Sequence, residues 1–126
     1  MVVIDTSTLL FWTLDNQSLS PAAAVAINDA ERVVVSSISV WEIGIKVSRG
    51  RLHIPVPTRE FADRLVQIDV VEVLPVDTET WLQSIELQWE HRDPADRVIV
   101  ATAMLRSCPL ITSDETIRRF YPQSIW

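Results

Sequence analysis

The chain has 126 residues, of which 48% are hydrophobic, so it can fold around one core and is too short for two domains. Its formal net charge of -6 argues against passive binding of nucleic acid through a basic surface, and its single cysteine excludes an internal disulfide and a multi-cysteine zinc site. No apolar stretch is long enough to span a bilayer, so we expect one soluble, cytoplasmic domain over residues 1–126 with no membrane partner.

Strand-like and helical segments alternate along the chain. β-Branched and apolar runs predict four strands, at Val2–Ile4, Val33–Val35, Val70–Leu74 and Leu110–Thr112. Capping residues and apolar side chains at helical spacing predict helices that begin near Ser20, Ser37 or Ser39, Thr58, Asp77 or Thr78, Asp93 and Asp114. A terminal segment, Ser124–Trp126, completes the domain. This order predicts an α/β fold with a parallel sheet covered on both faces.

Two of the predicted helices have further details. The helix after the second strand is expected to end near Arg49, with Gly50 as its C-terminal stop. The helix that begins near Asp77 is expected to carry three large apolar side chains on one face, those of Trp81, Ile85 and Trp89.

Four acidic residues occupy positions that a parallel sheet brings to one edge. Asp5 and Asp114 follow the first and fourth strands, and Glu42 and Asp96 lie in the first turns of two helices. Carboxylates gathered in this way repel one another unless a divalent cation lies between them. Oxygen ligands suit Mg²⁺ or Mn²⁺, and sites of this kind mostly act on phosphate. The pattern therefore predicts a hard-metal site.

Each acid also has an ordinary structural explanation. Asp5 and Asp114 are good helix N-caps, and Asp96 complements a helix dipole. Glu42 has Lys46 four residues later, in the favourable order for a surface ion pair. It is the joint placement of the four acids that favours a site.

The motifs around these acids resemble those of a known family. The blocks are Asp5-Thr6-Ser7-Thr8-Leu9-Leu10, Trp41-Glu42-Ile43-Gly44-Ile45-Lys46, His91-Arg92-Asp93-Pro94-Ala95-Asp96-Arg97 and Leu110-Ile111-Thr112-Ser113-Asp114. Over nearly the whole chain, they resemble the PIN-domain ribonucleases and, within them, the VapC toxins of type II toxin–antitoxin pairs. Ala95 departs from the many relatives that carry an aromatic residue there. The resemblance implies a PIN-like three-layer sandwich, with a mostly parallel sheet of four or five short strands between helices.

The resemblance also implies an activity. The protein is expected to be a metal-dependent endoribonuclease that hydrolyses RNA phosphodiester bonds as the toxin of a toxin–antitoxin pair. The family's catalytic and metal-site acids map onto Asp5, Glu42, Asp96 and Asp114. Mg²⁺ or Mn²⁺ would be held directly by Asp5 and Asp96, and directly or through water by the other two acids. The resemblance further implies an antitoxin protein, which wraps the toxin with an apolar helix, and a homodimer.

Other side chains are candidates for supporting roles. Acids or metal-bound waters could be oriented by Thr6, Ser7, Thr112 and Asp93, the last of which also reads as a helix cap. RNA phosphates could be held by Lys46, Arg49 and Arg97, although a Glu42–Lys46 ion pair and a solvated basic helix end explain the first two equally well. The antitoxin groove or a dimer face could be formed by Leu9, Trp12 and Leu14. No serine or cysteine nucleophile partners a histidine, so surface or structural roles are expected for His53 and His91.

Two other functions stay open on the sequence. An aspartyl-phosphate-type phosphatase would use Asp5 as its nucleophile, although such enzymes usually carry a second aspartate at the position of Ser7. A non-catalytic PIN module that binds nucleic acid or protein would keep the fold without cleavage, although all four acids are present.

Overall fold

Five parallel strands form the centre of the molecule. A computed structural model describes all residues from 1 to 126. The strands are Val2–Ile4 (β1), Val33–Ser36 (β2), Val71–Leu74 (β3), Leu110–Ile111 (β4) and Ser124–Ile125 (β5). They lie in the order β3-β2-β1-β4-β5, and every neighbouring pair is parallel. The predicted α/β architecture is confirmed, and the terminal segment supplies a fifth strand.

Helices cover both faces of the sheet. They are Thr6–Leu14 (α1), Pro21–Asp29 (α2), Ser37–Ser48 (α3), Thr58–Leu65 (α4), Thr78–Glu86 (α5), Pro94–Arg106 (α6) and Glu115–Phe120 (α7). Alternate strand side chains point to opposite faces. Val3 and Val34 therefore join a core with α6, whereas Ile4 and Val35 join a second core with α1, α2 and α4. None of the seven helices combines the length and hydropathy needed to cross a membrane.

One local prediction about the helices is confirmed and another needs correction. Asp5, considered from the sequence as a helix N-cap, caps α1, whose bounds could not be predicted because its threonines and aromatic residues have modest helix propensity; burial of Leu9 also stabilises this helix. The prediction that Trp89 shares a helix with Trp81 and Ile85 is wrong, because α5 ends at Glu86.

Gly50 ends α3 as predicted. Its φ of 67° lies in the left-handed region, which favours glycine. The Gly50 N–H donates to the Val47 carbonyl at 3.1 Å, and the Arg51 N–H donates to the Lys46 carbonyl at 2.8 Å. These two bonds define a Schellman motif, which turns the chain back and places Arg51 against the last turn of α3.

Arg97 organises the connection between α5 and α6. A guanidinium group has five N–H donors, and every one donates to a main-chain carbonyl. The acceptors are the carbonyl oxygens of Ser84 (2.9 Å), Ile85 (3.4 Å), Leu87 (2.9 Å), Trp89 (2.7 Å) and His91 (2.9 Å). Arg97 was a candidate contact of RNA phosphate, and in this structure its guanidinium group has no donor left for a phosphate. It fixes a segment that has no helix or strand of its own.

Replacing Arg97 with lysine should destabilise the fold although the positive charge is kept. An ammonium group has three donors and lacks the planar fork that reaches five carbonyl oxygens. We expect the free energy of unfolding, measured by urea denaturation, to fall by about 2–4 kcal/mol. The matched control is Arg106→Lys in the exposed last turn of α6, which should change it by less than about 0.5 kcal/mol. Equal stability of the two variants would contradict this role for Arg97.

Candidate active site

The acidic side chains lie near the carboxyl edge of the sheet, at the point where the strand order reverses. The chain runs from β1 outwards to β2 and β3, and then returns to β4 on the other side of β1. Asp5 directly follows β1, Asp114 lies just beyond β4, and Asp96 is in the first turn of α6, which packs on β1. Parallel α/β sheets form ligand sites at such a switch point.

Thr112 links Asp5 to Asp114. Its hydroxyl donates to Asp5 Oδ2 at 2.5 Å and accepts a hydrogen bond from the Asp114 main-chain N–H at 3.0 Å. Both aspartates also cap helices: Asp5 accepts from the Thr8 N–H at 2.9 Å, and Asp114 from the Ile117 N–H at 3.1 Å. Capping therefore fixes each carboxylate at the sheet edge. The same carboxylate can be a helix cap and part of an active site.

Asp5 is an almost fully buried carboxyl group, with 4% of its surface exposed. Burial raises its pKa above the ordinary value, and the hydrogen bonds from Thr112 and Thr8 oppose that rise. The negative charge of Asp114 raises the pKa of Asp5 further. The two residues are neighbours because both contact the hydroxyl of Thr112.

Asp96 is held between a helix cap and a histidine. Its main-chain N–H donates to Asp93 Oδ1 at 2.9 Å, and His91 Nε2 lies 2.7 Å from its Oδ2. The pKa of Asp96 is raised to about 6: burial raises it most, the hydrogen bond from His91 lowers it, and the charges of Asp93 and Asp114 raise it. Asp96 and Asp5 therefore both interact electrostatically with Asp114.

His91 was expected to be surface or structural, yet it contacts one of the four acids. The signal in the sequence was its position five residues before Asp96 within one motif block. Its ring lies 4.8 Å from the ring of Trp89, which stacks on Phe120 at 4.6 Å. The Arg97 bond to the His91 carbonyl fixes the same residue from its backbone.

Glu42 is paired with a cation of its own helix. Its side chain is 15% exposed and lies 3.4 Å from Lys46 Nζ, which is the ion pair considered from the sequence. Glu42 follows Ser39 by three residues in α3, and Ser39 Oγ accepts a hydrogen bond from the Thr6 hydroxyl of α1.

The candidate supporting residues have different contacts. Thr112 touches an acid, and Asp93 caps the helix that carries Asp96. The Thr6 hydroxyl instead donates to Ser39 Oγ at 2.9 Å, so it joins α1 to α3 and contacts no acid. Ser7 is exposed on α1.

The donor groups at this edge fit a hard divalent cation. They are carboxylate oxygens, which are the ligands that Mg²⁺ and Mn²⁺ prefer. Burial raises the pKa of both Asp5 and Asp96, and the charge of Asp114 raises them further, so a bound cation would favour the ionised form of both groups. No three Asp, Glu, His or Cys side chains are already arranged as a metal site. The fit to a divalent cation therefore rests on the chemistry of the carboxylate groups.

A family model for the PIN domain matches residues 2–121. The chain belongs to the PIN domain family. Ribonuclease VapC22 from Mycobacterium tuberculosis is 28% identical to it, over 99% of this chain and 98% of that relative.

Solved structures share this PIN fold. A toxin–antitoxin complex from Klebsiella pneumoniae matches with a TM-score of 0.68 and 19% identity, over 100% of this chain and 97% of that chain. VapBC2 from Rickettsia felis, bound to a DNA fragment from its promoter, matches with a TM-score of 0.67 and 13% identity, over 100% of both chains. At these identities the likeness establishes the fold alone.

The metal-free PIN domain should lose stability as the pH rises through the pKa of Asp96. That pKa is 3.8 as the ordinary value of the unfolded chain and about 6 in the folded domain, so between them the folded state binds more protons. The stabilising contribution of the protonated group is complete below about pH 4 and is lost by about pH 7.

The measurement is the melting temperature against pH in EDTA, for the wild type and for Asp96→Asn. The variant lacks the titrating group, so the wild type should lose stability relative to it across that interval. Carboxyl groups remote from Asp96 titrate in both proteins and cancel in the difference. Parallel curves for the two proteins would contradict a raised pKa.

Proposed function

We propose that this PIN domain is a Mg²⁺- or Mn²⁺-dependent endoribonuclease that acts as the toxin of a toxin–antitoxin pair. The observation that carries the proposal is the placement of Asp5, Asp96 and Asp114 at the switch point of the sheet. There the Thr112 hydroxyl joins Asp5 to Asp114, and Asp93 caps the helix that carries Asp96. The full-length relative that is named a ribonuclease supports RNA as the substrate. Neighbours in fold that come from toxin–antitoxin complexes support an antitoxin partner.

The acids have distinct parts in this proposal. Asp5 and Asp96 would hold the cation directly, and Glu42 and Asp114 would hold it directly or through water. When bound, the cation would lower the pKa of a water molecule and stabilise negative charge on the phosphate.

The neighbouring side chains would orient these acids. Thr112 holds Asp5 Oδ2 through its hydroxyl, and His91 holds Asp96 Oδ2. Because one oxygen of each aspartate is fixed in this way, the carboxylate planes are set before a ligand arrives. This preorganisation would limit the reorganisation needed for binding.

The phosphatase alternative is disfavoured by the residue two positions after Asp5. Enzymes that form an aspartyl-phosphate usually carry a second aspartate there, and this chain has Ser7, which is exposed on α1. A phosphoryl group trapped covalently on Asp5 would restore that alternative.

Asp5→Asn or Asp96→Asn should lower RNA cleavage by about a hundredfold or more, because each removes a charged ligand of the cation. Asparagine is also a good N-cap, so the Asp5 variant should stay folded, with an unchanged circular dichroism spectrum. Cleavage is measured with labelled RNA and purified toxin. Exposed Asp69→Asn is the control and should cleave like the wild type.

The same assay tests the cation. EDTA should abolish cleavage by the wild type, and added Mn²⁺ or Mg²⁺ should restore it. Undiminished cleavage by both aspartate variants would overturn the assignment of the site. A wild type that cleaves equally well in EDTA would overturn the metal requirement.

The antitoxin helix fits an apolar cavity between α1 and α4. This cavity of about 310 Å³ is lined by Trp12, Leu14, Phe61 and Leu65, among others. Leu9 does not belong to it, because its side chain is fully buried in the core. An amphipathic helix binds such a groove by inserting its apolar face.

A second copy of the chain fits a different surface, which we call the α3–α5 face. It carries exposed Trp41 (56%), Trp81 (45%) and Ile85 (73%). Between α3 and α5 lies a cleft of about 510 Å³ whose lining includes no charged side chain. Homodimer interfaces are more apolar than transient ones, so this face suits the proposed homodimer better than the α1–α4 cavity, which Arg64 also lines.

The two surfaces can be separated by crossed substitutions. Ile85→Arg should convert the dimer to a monomer, measured by analytical ultracentrifugation, because a buried unpaired charge opposes association. It should still be neutralised by its antitoxin. Leu14→Arg, half-exposed in the α1–α4 cavity, should lose neutralisation and stay dimeric. The reverse result would exchange the two assignments.

A further inference from the structure

We propose that Lys46, Arg49 and Arg51 form a phosphate-binding subsite that holds the RNA strand beside the scissile bond. This inference rests on the proposed ribonuclease function and adds where the substrate backbone lies. The three cations line one cleft of about 200 Å³ at the C-terminal end of α3.

The cleft borders the acidic site. Glu42 and Asp93 line the cleft together with the three cations. Asp93 also accepts a hydrogen bond from the main-chain N–H of Asp96, which belongs to the acidic site. A strand whose scissile phosphate lies at the aspartates can therefore place a neighbouring phosphate among the cations. Phosphate contacts of this kind position a nucleic acid without reading its sequence.

The Schellman turn at Gly50 is what assembles the cations. Lys46 and Arg49 are three residues apart and share a face of α3. Arg51 lies beyond the helix, yet its N–H bonds to the Lys46 carbonyl at 2.8 Å because Gly50 reverses the chain. A helix that simply continued would instead place residue 51 away from residue 46 on the helix surface.

Arg49 and Arg51 are available to a ligand. Neither is in any ion pair of the structure, and neither side chain donates a hydrogen bond to the protein. Lys46 is partly engaged by Glu42 at 3.4 Å. Three of the eleven Lys and Arg residues thus gather in one cleft of a chain whose net charge is -6.

Guanidinium groups match phosphate oxygens in a bidentate geometry, which makes phosphate the expected ligand. The simpler explanation is that Lys46 and Arg49 complement the dipole at the end of α3. That explanation concerns stability and gives no reason for RNA affinity to depend on Arg51, which lies outside the helix.

The test is RNA binding by the Asp5→Asn protein in EDTA, so that binding is measured without cleavage. The probe is a fluorescein-labelled single-stranded RNA of randomised sequence, followed by anisotropy across a range of salt concentrations. Arg49→Ala and Arg51→Ala are made in this background. Arg106→Ala is the control, since it removes the same charge from the far end of α6.

We expect each cleft substitution to weaken binding severalfold and to reduce the slope of log affinity against log salt by about 0.7, the value for one phosphate of a single strand. The control should leave both quantities unchanged. In the cleavage-competent protein, the same substitutions should raise KM more than they lower kcat.

Other outcomes have separate meanings. Equal affinities for the cleft and control variants, or no RNA binding at all, would overturn the subsite. Normal RNA binding with loss of antitoxin binding would also overturn it, and would make the cleft a protein contact. If the RNA binds through the cleft but the wild type never cleaves it, the subsite stands and the proposed nuclease function fails.

Discussion

Burial of carboxyl groups at the edge of the sheet is the constraint around which this molecule is organised. Asp5 and Asp96 are largely removed from water, and both feel the charge of Asp114. Such groups persist in a folded protein only when other interactions hold them in place. Here the restraint comes from ordinary structural chemistry: helix N-caps at Asp5 and Asp114, and a threonine hydroxyl between them. The elements that build the fold are therefore the same ones that hold the acids at the sheet edge.

A second layer of organisation comes from Arg97. Its five donors fix the irregular segment after α5, and one of them holds the backbone of His91. His91 in turn contacts Asp96. A charged side chain next to an acidic site invites interpretation as a ligand contact, but the structure shows a different contribution, through the shape of the polypeptide. Arg49 and Arg51, at the end of α3, differ from Arg97 in this respect. Neither guanidinium group is in an ion pair, so both keep their donors free.

Periodicity and capping chemistry were enough to predict most of the fold. Buried parallel strands read as continuous apolar runs, and Ser20-Pro21 and Asp93-Pro94 are helix starts that the chain uses. The bounds of the first helix could not be predicted, because its helix propensity is weak and its stability comes from tertiary packing.

The acids at the edge could be predicted because strand ends in a parallel sheet converge by topology. The partners of individual side chains could not. Whether Arg97 meets a phosphate or a set of carbonyls, and whether Thr6 meets an acid or Ser39, depends on side-chain directions over distances of a few ångströms. No sequence pattern contains that information. Local spacing did supply a clue for His91, since its motif block places it near Asp96.

The position of β1 has a consequence for how the molecule opens. This strand is the middle one of five, and its residues are buried from both faces. Backbone amides in such a strand exchange with solvent only when most of the domain unfolds, whereas peripheral helices such as α4 can open locally at lower free energy. Asp5 follows β1 directly. The α1–α4 cavity can therefore open locally while Asp5 keeps its place at the sheet edge.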